Sequence, residues 1–242
     1  MFRFTFQFLN RFIKQFYSNI SKEDPDMNKY ECYPRPFSIC KAYGDPHITT
    51  FDNAKIDVYG RAQYLYSASN GTSEGAPQFK ILANTEPIRH VSRNSKIYVS
   101  FPLQSGEMIE FELDTSGKPH FYMKATGWNR VYPQRSNEFK FRQRGKKQIL
   151  RTWFGLIVNL RGRNLRIIAP AFYDGQTYGL CQNKNQDQSD DFTMHDGTEL
   201  TYHGHNGYKL SNSEYLVGKS WITASRNVRG CFVIDFECNS DN

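Results

Sequence analysis

Two short stretches of the sequence bring together side chains that can carry chemistry. The first, residues 42–52, reads Ala-Tyr-Gly-Asp-Pro-His-Ile-Thr-Thr-Phe-Asp. The second, residues 178–192, contains five asparagine or aspartate side chains within nine positions: Asn183, Asn185, Asp187, Asp190 and Asp191. Calcium binds six to eight oxygen ligands at about 2.3–2.6 Å, and carboxylate and amide oxygens suit such a hard cation. The second stretch is therefore a candidate calcium-binding loop near the C-terminal end of the chain.

The spacing of this loop differs from that of an EF-hand. An EF-hand loop has glycine at its sixth position and glutamate at its twelfth, where this sequence has Gln188 and Met194. A solvated turn is the alternative interpretation, because asparagine and aspartate are common turn residues.

Strands must position both stretches, since composition and patterning favour sheets. Phe, Tyr and Trp make up 15% of the 242 residues, and aromatic and β-branched residues favour strands. Strand-like segments occupy residues 56–68 around Gly60, 78–83, 95–103, 108–113 and 155–169, the last a hairpin. Turn-like breaks lie at residues 92–94, 104–106 and 114–117. With a helix expected only at residues 211–218 beyond the N-terminal segment, the pattern predicts an all-β antiparallel sandwich or barrel.

Several protein classes are not expected from this sequence. A transmembrane helix needs about 18 consecutive apolar residues, and no such run occurs. The motifs G-x-S-x-G, H-E-x-x-H and the P-loop are absent, so a turnover enzyme is not expected. Nucleic-acid binding is not expected either, because no recognised binding motif accompanies the net charge of +7.

Basic residues dominate the stretch between Glu138 and Asp174, which contains no acid. Within it Lys140, Arg142 and Arg144 alternate, so in a strand they would share one face. Such a face could bind sulfated or sialylated glycans in an extracellular protein. A solvated sheet face is the alternative.

The sequence divides into three regions. Residues 1–38 form a basic, aromatic segment with a linker, residues 39–223 the folded domain, and residues 224–242 a tail with cysteines. Arg11 and Lys14 interrupt the apolar run that a secretory signal needs. A poor signal, an interfacial amphipathic helix and an incomplete chain start all remain open. Sequons at Asn19 and Asn70 are compatible with a secreted glycoprotein.

The motifs of both stretches resemble the von Willebrand factor type D domain. The matching segments are Gly44-Asp-Pro-His47, Thr50-Phe-Asp52, Gly179-Leu-Cys-Gln-Asn183 and Asp190-Asp191-Phe192, with Gly218-Lys-Ser-Trp221 similar to the family's closing Gly-Asn-Ser-Trp. The resemblance covers about Cys40 to Trp221 and implies a two-sheet β-sandwich. It also implies a secreted, structural or adhesive protein with extracellular-matrix, mucin-like or glycan partners. A stand-alone domain and a piece of a longer mosaic protein both remain open.

The resemblance also implies the ligands of the calcium ion. They fall on Asp52, Asn183, Asn185, Asp190 and Asp191, with Asp187 contributing its backbone carbonyl. The family usually has glycine where this chain has Gln182 and Gln186. If either position requires a positive φ, glutamine fits poorly there.

The five cysteines receive one pairing from the resemblance, Cys40 with Cys181. The pairing of Cys32, Cys231 and Cys238 stays open, and an unpaired cysteine would allow self-association. Tyr178 stands where the family usually has the first cysteine of Cys-Gly-Leu-Cys. Covalent multimers that use this vicinal pair are therefore not expected.

The bond between Asp45 and Pro46 is a candidate for self-cleavage. An aspartate carboxylate can attack its own carbonyl carbon while the proline nitrogen leaves as an amine, to which His47 could donate a proton. Gly44-Asp-Pro-His47 resembles the self-cleavage site of some gel-forming mucins, whereas a plain turn into a strand is the alternative. We expect slow cleavage at mildly acidic pH, measured by intact mass; a mass that stays at one uncut species for days would contradict the hypothesis.

Overall fold

Strands make up most of the chain that the structure describes. The structure, a computed structural model, describes residues 37–225 except 45, 59, 74, 89–90, 116–119, 124–126, 131–137 and 202–211. Seven residues singled out above lie outside the described residues: Arg11, Lys14, Asn19, Cys32, Asp45, Cys231 and Cys238.

The strands are numbered in chain order. They are β1 (Phe37–Tyr43), β2 (His47–Thr49), β3 (Lys55–Asp57), β4 (Ala62–Ser69), β5 (Phe79–Ile88), β6 (Val91–Pro102), β7 (Met108–Asp114), β8 (His120–Met123), β9 (Gly127–Arg130), β10 (Phe139–Arg144), β11 (Lys147–Thr152), β12 (Ile157–Arg161), β13 (Asn164–Pro170) and β14 (Ile222–Ser225). Among the described residues there is one α-helix, α1 (Asn212–Ser220). Short 3-10 helices lie at Ala171–Tyr173 and Gln188–Asp190. None of the described helices has the length and hydropathy that crossing a bilayer requires.

The strands form two antiparallel sheets of seven strands each. The first sheet has the order β10-β11-β12-β13-β1-β2-β3, and the second has the order β14-β4-β5-β6-β7-β8-β9. In the first sheet β1 lies between β13 and β2. The strand that leads into the first chemical stretch, β1, is therefore hydrogen-bonded to β13, the last strand before the second stretch.

The two sheets pack against each other through apolar side chains. Buried and more exposed residues alternate along strands such as β7 and β11, so each sheet turns one apolar face inward. The ring of Phe111 in the second sheet lies 6.3 Å from that of Phe141 in the first. The ring centroid of Phe101 in the second sheet lies 5.9 Å from that of Phe154, which follows β11. All four residues are buried in one core, where aromatic pairs contribute both area and specific geometry.

The fold class predicted from the sequence is confirmed as an all-β chain with two antiparallel sheets and little helix. The turn predicted at residues 92–94 is wrong, because these residues lie inside β6. Their polar side chains suggested a turn, but the fold provides hydrogen-bond partners for Ser92 and Asn94. Ser92 Oγ accepts from Gly60 N at 2.9 Å, and Asn94 Oδ1 accepts from Tyr66 Oη at 3.0 Å. The hairpin ends instead where Ile88 pairs with Val91.

The segment at residues 56–68 contains two strands that belong to different sheets. Its first residues complete β3 of the first sheet, and its last residues lie in β4 of the second. The chain therefore passes from one sheet to the other between the two strands, which an alternating pattern alone does not reveal because both strands have the same period.

The segment around Gly179 enters the second chemical stretch along the backbone of β4. Leu180 N donates to Leu65 O at 3.0 Å, and Cys181 N donates to Tyr66 O at 2.7 Å. Gly179 has a φ of +112°, and a Cβ at this position would lie 2.9 Å from the Tyr66 carbonyl oxygen. Only glycine permits this close approach of two backbones.

We expect Gly179→Ala to lower the free energy of unfolding by about 2–4 kcal/mol, because the added methyl group meets backbone that cannot move aside. Gly197→Ala is the matched control, since Gly197 also has a positive φ, +86°, but a Cβ there meets nothing within 4 Å. The control should lose only about 1 kcal/mol from backbone strain. Chemical denaturation of both variants measures the difference, and equal losses would contradict the steric explanation.

Candidate functional site

The turn between β2 and β3 carries Asp52, the first of the predicted ligands. Within this turn Thr50 N donates to Ala54 O at 2.9 Å, and Asn53 has a φ of 74°. Phe51 N donates to Cys181 O at 3.1 Å. The turn is therefore fixed to the chain that enters the candidate calcium loop.

A disulfide joins the two chemical stretches. It links Cys40 on β1 to Cys181, which are 141 residues apart in sequence and have a Cα–Cα distance of 5.7 Å. Both cysteines are buried. This is the pair that the family resemblance implies. A cross-link over so long a loop stabilises a fold by about 2–4 kcal/mol, largely by restricting the unfolded chain.

The carboxylate of Asp52 lies against the backbone of the loop. Its two oxygens accept hydrogen bonds from Asn185 N at 2.9 Å and from Gln186 N at 3.0 Å. These two successive N–H groups point toward one carboxylate, in a stretch of backbone where Lys184 and Gln186 have positive φ. Such a concave arrangement of amides favours an anion. The loop backbone thus fixes Asp52 even though 133 residues separate it from Asn185.

Asp190 and Asp191 close the loop. Asp190 Oδ2 accepts from the side-chain amides of Asn183 at 2.8 Å and Asn185 at 2.6 Å. Asp191 is fully buried, and its Oδ2 accepts a short hydrogen bond from Thr50 Oγ1 in the β2–β3 turn. The two asparagines and the two aspartates therefore converge beside the turn that holds Asp52.

Three oxygen atoms of this cluster are buried with no hydrogen-bond partner in the described part of the chain. They are Asn183 Oδ1, Asp190 Oδ1 and Asp191 Oδ1. A buried acceptor in this state costs about 1–3 kcal/mol, and a charged one costs more. Because all three atoms accept, a proton, a water molecule or a cation would satisfy them.

Burial raises the pKa values of two carboxyl groups in this cluster, those of Asp52 and Asp191. The pKa of Asp191 is raised to about 7 by burial, with a further rise from the charges of Asp52 and Asp190, while the hydrogen bond from Thr50 opposes the rise. Burial also raises the pKa of Asp52, despite its two backbone hydrogen bonds. A carboxyl whose pKa is raised by folding destabilises the fold as the pH rises from about 4 to about 7, because the unfolded chain gives up the proton first. At neutral pH the cluster therefore favours a compensating positive charge.

Asp187 is the predicted ligand whose side chain does not join the cluster. Its exposed carboxylate caps the 3-10 helix at Gln188–Asp190, accepting from Ser189 N at 2.8 Å and from Ser189 Oγ at 2.6 Å. These hydrogen bonds lower the pKa of Asp187. The side chain is thus occupied locally, which leaves its backbone carbonyl as the group that the resemblance implies.

The oxygen-only donor set fits a hard cation. Of the converging side chains, three are aspartates and two are asparagines, and hard cations select carboxylate and amide oxygens. In the described ranges no three His, Cys, Asp or Glu side chains are arranged to hold a metal ion by themselves. The asparagine oxygens are therefore an essential part of the candidate site.

Three residues of the loop that are not glycine adopt a positive φ at alternate positions. The values are 62° at Gln182, 55° at Lys184 and 72° at Gln186. Each costs about 1–2 kcal/mol relative to a right-handed conformation. Gln182 is buried, and its Nε2 donates to Thr193 O at 3.3 Å. Gln186 is exposed, so the strain at Gln186 has less compensation from its side chain.

Two residues near the cluster were not singled out by the sequence analysis. Thr50 supplies the hydroxyl that binds Asp191, and its place two residues before Asp52 was the available signal. Lys184 is only 2% exposed, and its Nζ forms a short ion pair with Asp174. A buried lysine leaves no signal in a sequence, because a lysine in a polar loop is normally solvated.

The self-cleavage hypothesis is only partly placed by the structure, because Asp45 lies outside the described residues. His47 Nδ1 lies 2.7 Å from Asp57 Oδ1 on the neighbouring strand. Val58 N donates to Pro46 O at 3.2 Å. A carboxylate therefore orients the side chain of His47, and cleavage stays a prediction.

The sequon at Asn70 lies in the connection after β4. Asn70 is exposed, and its Oδ1 accepts from Tyr178 Oη at 3.0 Å. Exposure is what a glycosylation acceptor needs, and glycosylation at this position stays a prediction.

Comparisons with known proteins agree with the geometry. A model of the von Willebrand factor type D domain matches residues 40–198. Human IgGFc-binding protein is 28% identical over 179 residues, which is 69% of this chain and 3% of that protein. Mouse zonadhesin is 29% identical over 81% of this chain and 4% of its own length. Chicken alpha-tectorin is 27% identical over 82% of this chain and 8% of its own length. The chain thus spans a small part of the relatives that it matches.

We expect Gln186→Gly to raise the free energy of unfolding by about 1 kcal/mol, because glycine removes the strain of a positive φ at an exposed position. Gln176→Gly is the matched control, since Gln176 is exposed in the same region but is not among the residues with a positive φ. The control should lose about 0.5–1 kcal/mol to the greater freedom of the unfolded chain. Denaturant titration measures both, and stabilisation by neither variant would show that the loop is not strained at Gln186.

Proposed function

Since the chain belongs to the von Willebrand factor type D family, we propose that it is an extracellular structural or adhesive module whose loop binds calcium. The loop comprises residues 182–191 and acts together with Asp52 from the β2–β3 turn. The observation that carries the proposal is the set of three buried oxygens, on Asn183, Asp190 and Asp191, that have no donor in the described part of the chain.

The residues of the cluster have distinct roles in this proposal. Asp52, Asp190 and Asp191 provide negative charge, Asn183 and Asn185 provide amide oxygens, and Asp187 provides its backbone carbonyl. Calcium, when bound, supplies the positive charge that offsets the repulsion among these carboxylates. The protein holds the oxygens in place through the amides that bind Asp52 and the hydroxyl that binds Asp191.

Occupancy of this site would hold the β2–β3 turn, near the start of the domain, to the loop at residues 182–191. Asp52 follows β2, whereas the other ligands follow β13. The Cys40–Cys181 disulfide joins the same two parts of the chain. An ion and a disulfide together would resist separation of these two parts of the chain when the domain is exposed to denaturing conditions outside the cell.

The extracellular assignment is supported by the disulfide and the relatives. Disulfides persist in oxidising compartments and are rare in the cytosol. The relatives named zonadhesin and alpha-tectorin match four-fifths of this chain, but the chain spans less than a tenth of either. We propose extracellular-matrix or mucin-like partners on this basis.

We expect calcium to stabilise the oxidised full-length chain against heat. With free calcium at about 100 times the dissociation constant, the native state gains about 2.7 kcal/mol. For a domain of this size the gain raises the melting temperature by roughly 5–10 °C above that in EDTA. Differential scanning calorimetry in EDTA and in calcium measures the shift, and a wild-type protein without a shift would overturn calcium binding.

Asp191→Asn separates a calcium effect from a general loss of stability. The substitution removes a buried charge while keeping an oxygen for Thr50, so the variant in EDTA should be at least as stable as the wild type. Calcium should no longer raise the melting temperature of this variant. Asp196→Asn is the matched control, because Asp196 is exposed and binds only within its own turn, to Thr198 N. The control should keep the whole shift.

A further inference from the structure

The first sheet turns a strongly basic face away from the core. In β10 the side chain of Phe141 is buried while those of Arg142 and Arg144 are exposed, so alternation directs the basic residues outward. The same alternation exposes Lys147 and Arg151 in β11. We call the outward-facing residues of β10–β13 the basic face.

Like charges lie directly opposite each other across the strands of the basic face. Arg144 is paired with Lys147, and Lys147 is paired with Arg161, which places three cations in a row over three adjacent strands. Lys140 is paired with Arg151. Neighbouring strands are about 4.8 Å apart, so the row is dense in positive charge.

No acidic residue interrupts this surface within the four strands. The segments Phe139–Arg144, Lys147–Thr152, Ile157–Arg161 and Asn164–Pro170 contain neither aspartate nor glutamate. The second sheet behaves differently, because there Lys96 forms a cross-strand ion pair with Glu112 at 2.7 Å. The fold therefore uses opposite charges across one sheet and like charges across the other.

Like charges placed directly opposite each other destabilise an antiparallel pair. Solvent and salt screen the repulsion only in part, since the screening length at about 0.15 M salt is about 8 Å and the paired strands are closer than that. The isolated domain gains nothing from this arrangement. A polyanion laid across the strands would remove the repulsion and release its own counterions.

We propose that the basic face binds a linear sulfated polysaccharide. Arginine predominates in the rows, and its planar guanidinium group makes paired hydrogen bonds to oxyanions. A shallow depression at the end of the β10–β11 hairpin has three cationic residues among the five that line it: Arg142, Gln143, Arg144, Lys147 and Ile149. The row from Arg144 to Arg161 then continues the contact across the next strands.

The features of this surface favour a sulfated polysaccharide over other polyanions. Single-stranded nucleic acids bind on aromatic side chains, and the outward positions of β11 and β12 carry none, with Ile149 and Asn159 between the cations. Duplex DNA is read by an element that enters a groove, whereas this surface is the flat face of a sheet. The proposal does not depend on calcium, because it uses none of the residues of the loop.

The test uses the oxidised full-length chain and a size-defined heparin oligosaccharide, with binding measured by titration calorimetry over a range of salt concentrations. The variant Arg144→Gln/Lys147→Gln removes two adjacent cations of the row. We expect its affinity to fall roughly tenfold and its slope of log affinity against log salt to lose about two, one for each cation. Without heparin the variant should melt no lower than the wild type at low salt, since it removes a repulsion.

A variant with the same change of net charge is the control. Lys80→Gln/Lys219→Gln removes one cation from β5 of the second sheet and one from α1. Its affinity and salt slope should match those of the wild type, and an equal loss in both variants would overturn the assignment to the basic face. Failure of the wild type to bind heparin at about 0.15 M salt would overturn the proposal. Equal affinity for desulfated heparin, single-stranded DNA or phosphatidylserine vesicles would overturn the choice of a sulfated polysaccharide.

Discussion

The structure of this domain depends on one constraint, which is that three aspartates with the same charge must lie close together beside the loop at residues 182–191. Asp52, Asp190 and Asp191 come together where burial raises the pKa values of Asp52 and Asp191. Charges in such a place are stable only with compensating groups around them. The surrounding structure supplies amides, a hydroxyl and a covalent bond, each of which comes from a different part of the chain.

The way the loop is held explains several features that look unrelated in the sequence. The close approach of Gly179 to β4 brings the chain to the start of the candidate calcium loop, and the disulfide at Cys181 fixes the position of that start. Beyond this point the backbone takes a positive φ at alternate residues, and in this conformation the amides of Asn185 and Gln186 point at Asp52. The strain of the loop and the position of the carboxylate are therefore one arrangement. The loop gives up local stability so that oxygens from distant positions can meet.

The domain contains a second concentration of like charge, and it is handled in the opposite way. The acidic cluster is buried, where charges interact strongly and need compensation inside the protein. The basic face is solvated, where water and salt weaken the repulsion and leave the charge available to an outside partner. In our proposals the buried acidic cluster binds a calcium ion inside the domain, and the solvated basic face binds a polysaccharide outside it. Both arrangements rest on strand pairing, since β1 pairs with β13 and β2, the strands that lead toward the loop and toward the Asp52 turn, and β10–β12 carry the basic rows.

The sequence by itself determined the fold class, the two chemical stretches and the family. Alternation of apolar residues is a local property, so it predicted strands. The turn predicted at residues 92–94 is wrong because Ser92 and Asn94 are polar residue types that are nevertheless buried in a strand. Local motifs likewise identified Asp52 and the asparagine- and aspartate-rich loop. Only the tertiary structure decided that Thr50 binds Asp191, that Asp187 turns away to cap a helix, and that Lys184 is buried against Asp174. It alone also placed Arg144, Lys147 and Arg161 side by side. The physical reason is that these properties depend on strand register and on contacts between residues far apart in the chain, neither of which any local pattern encodes.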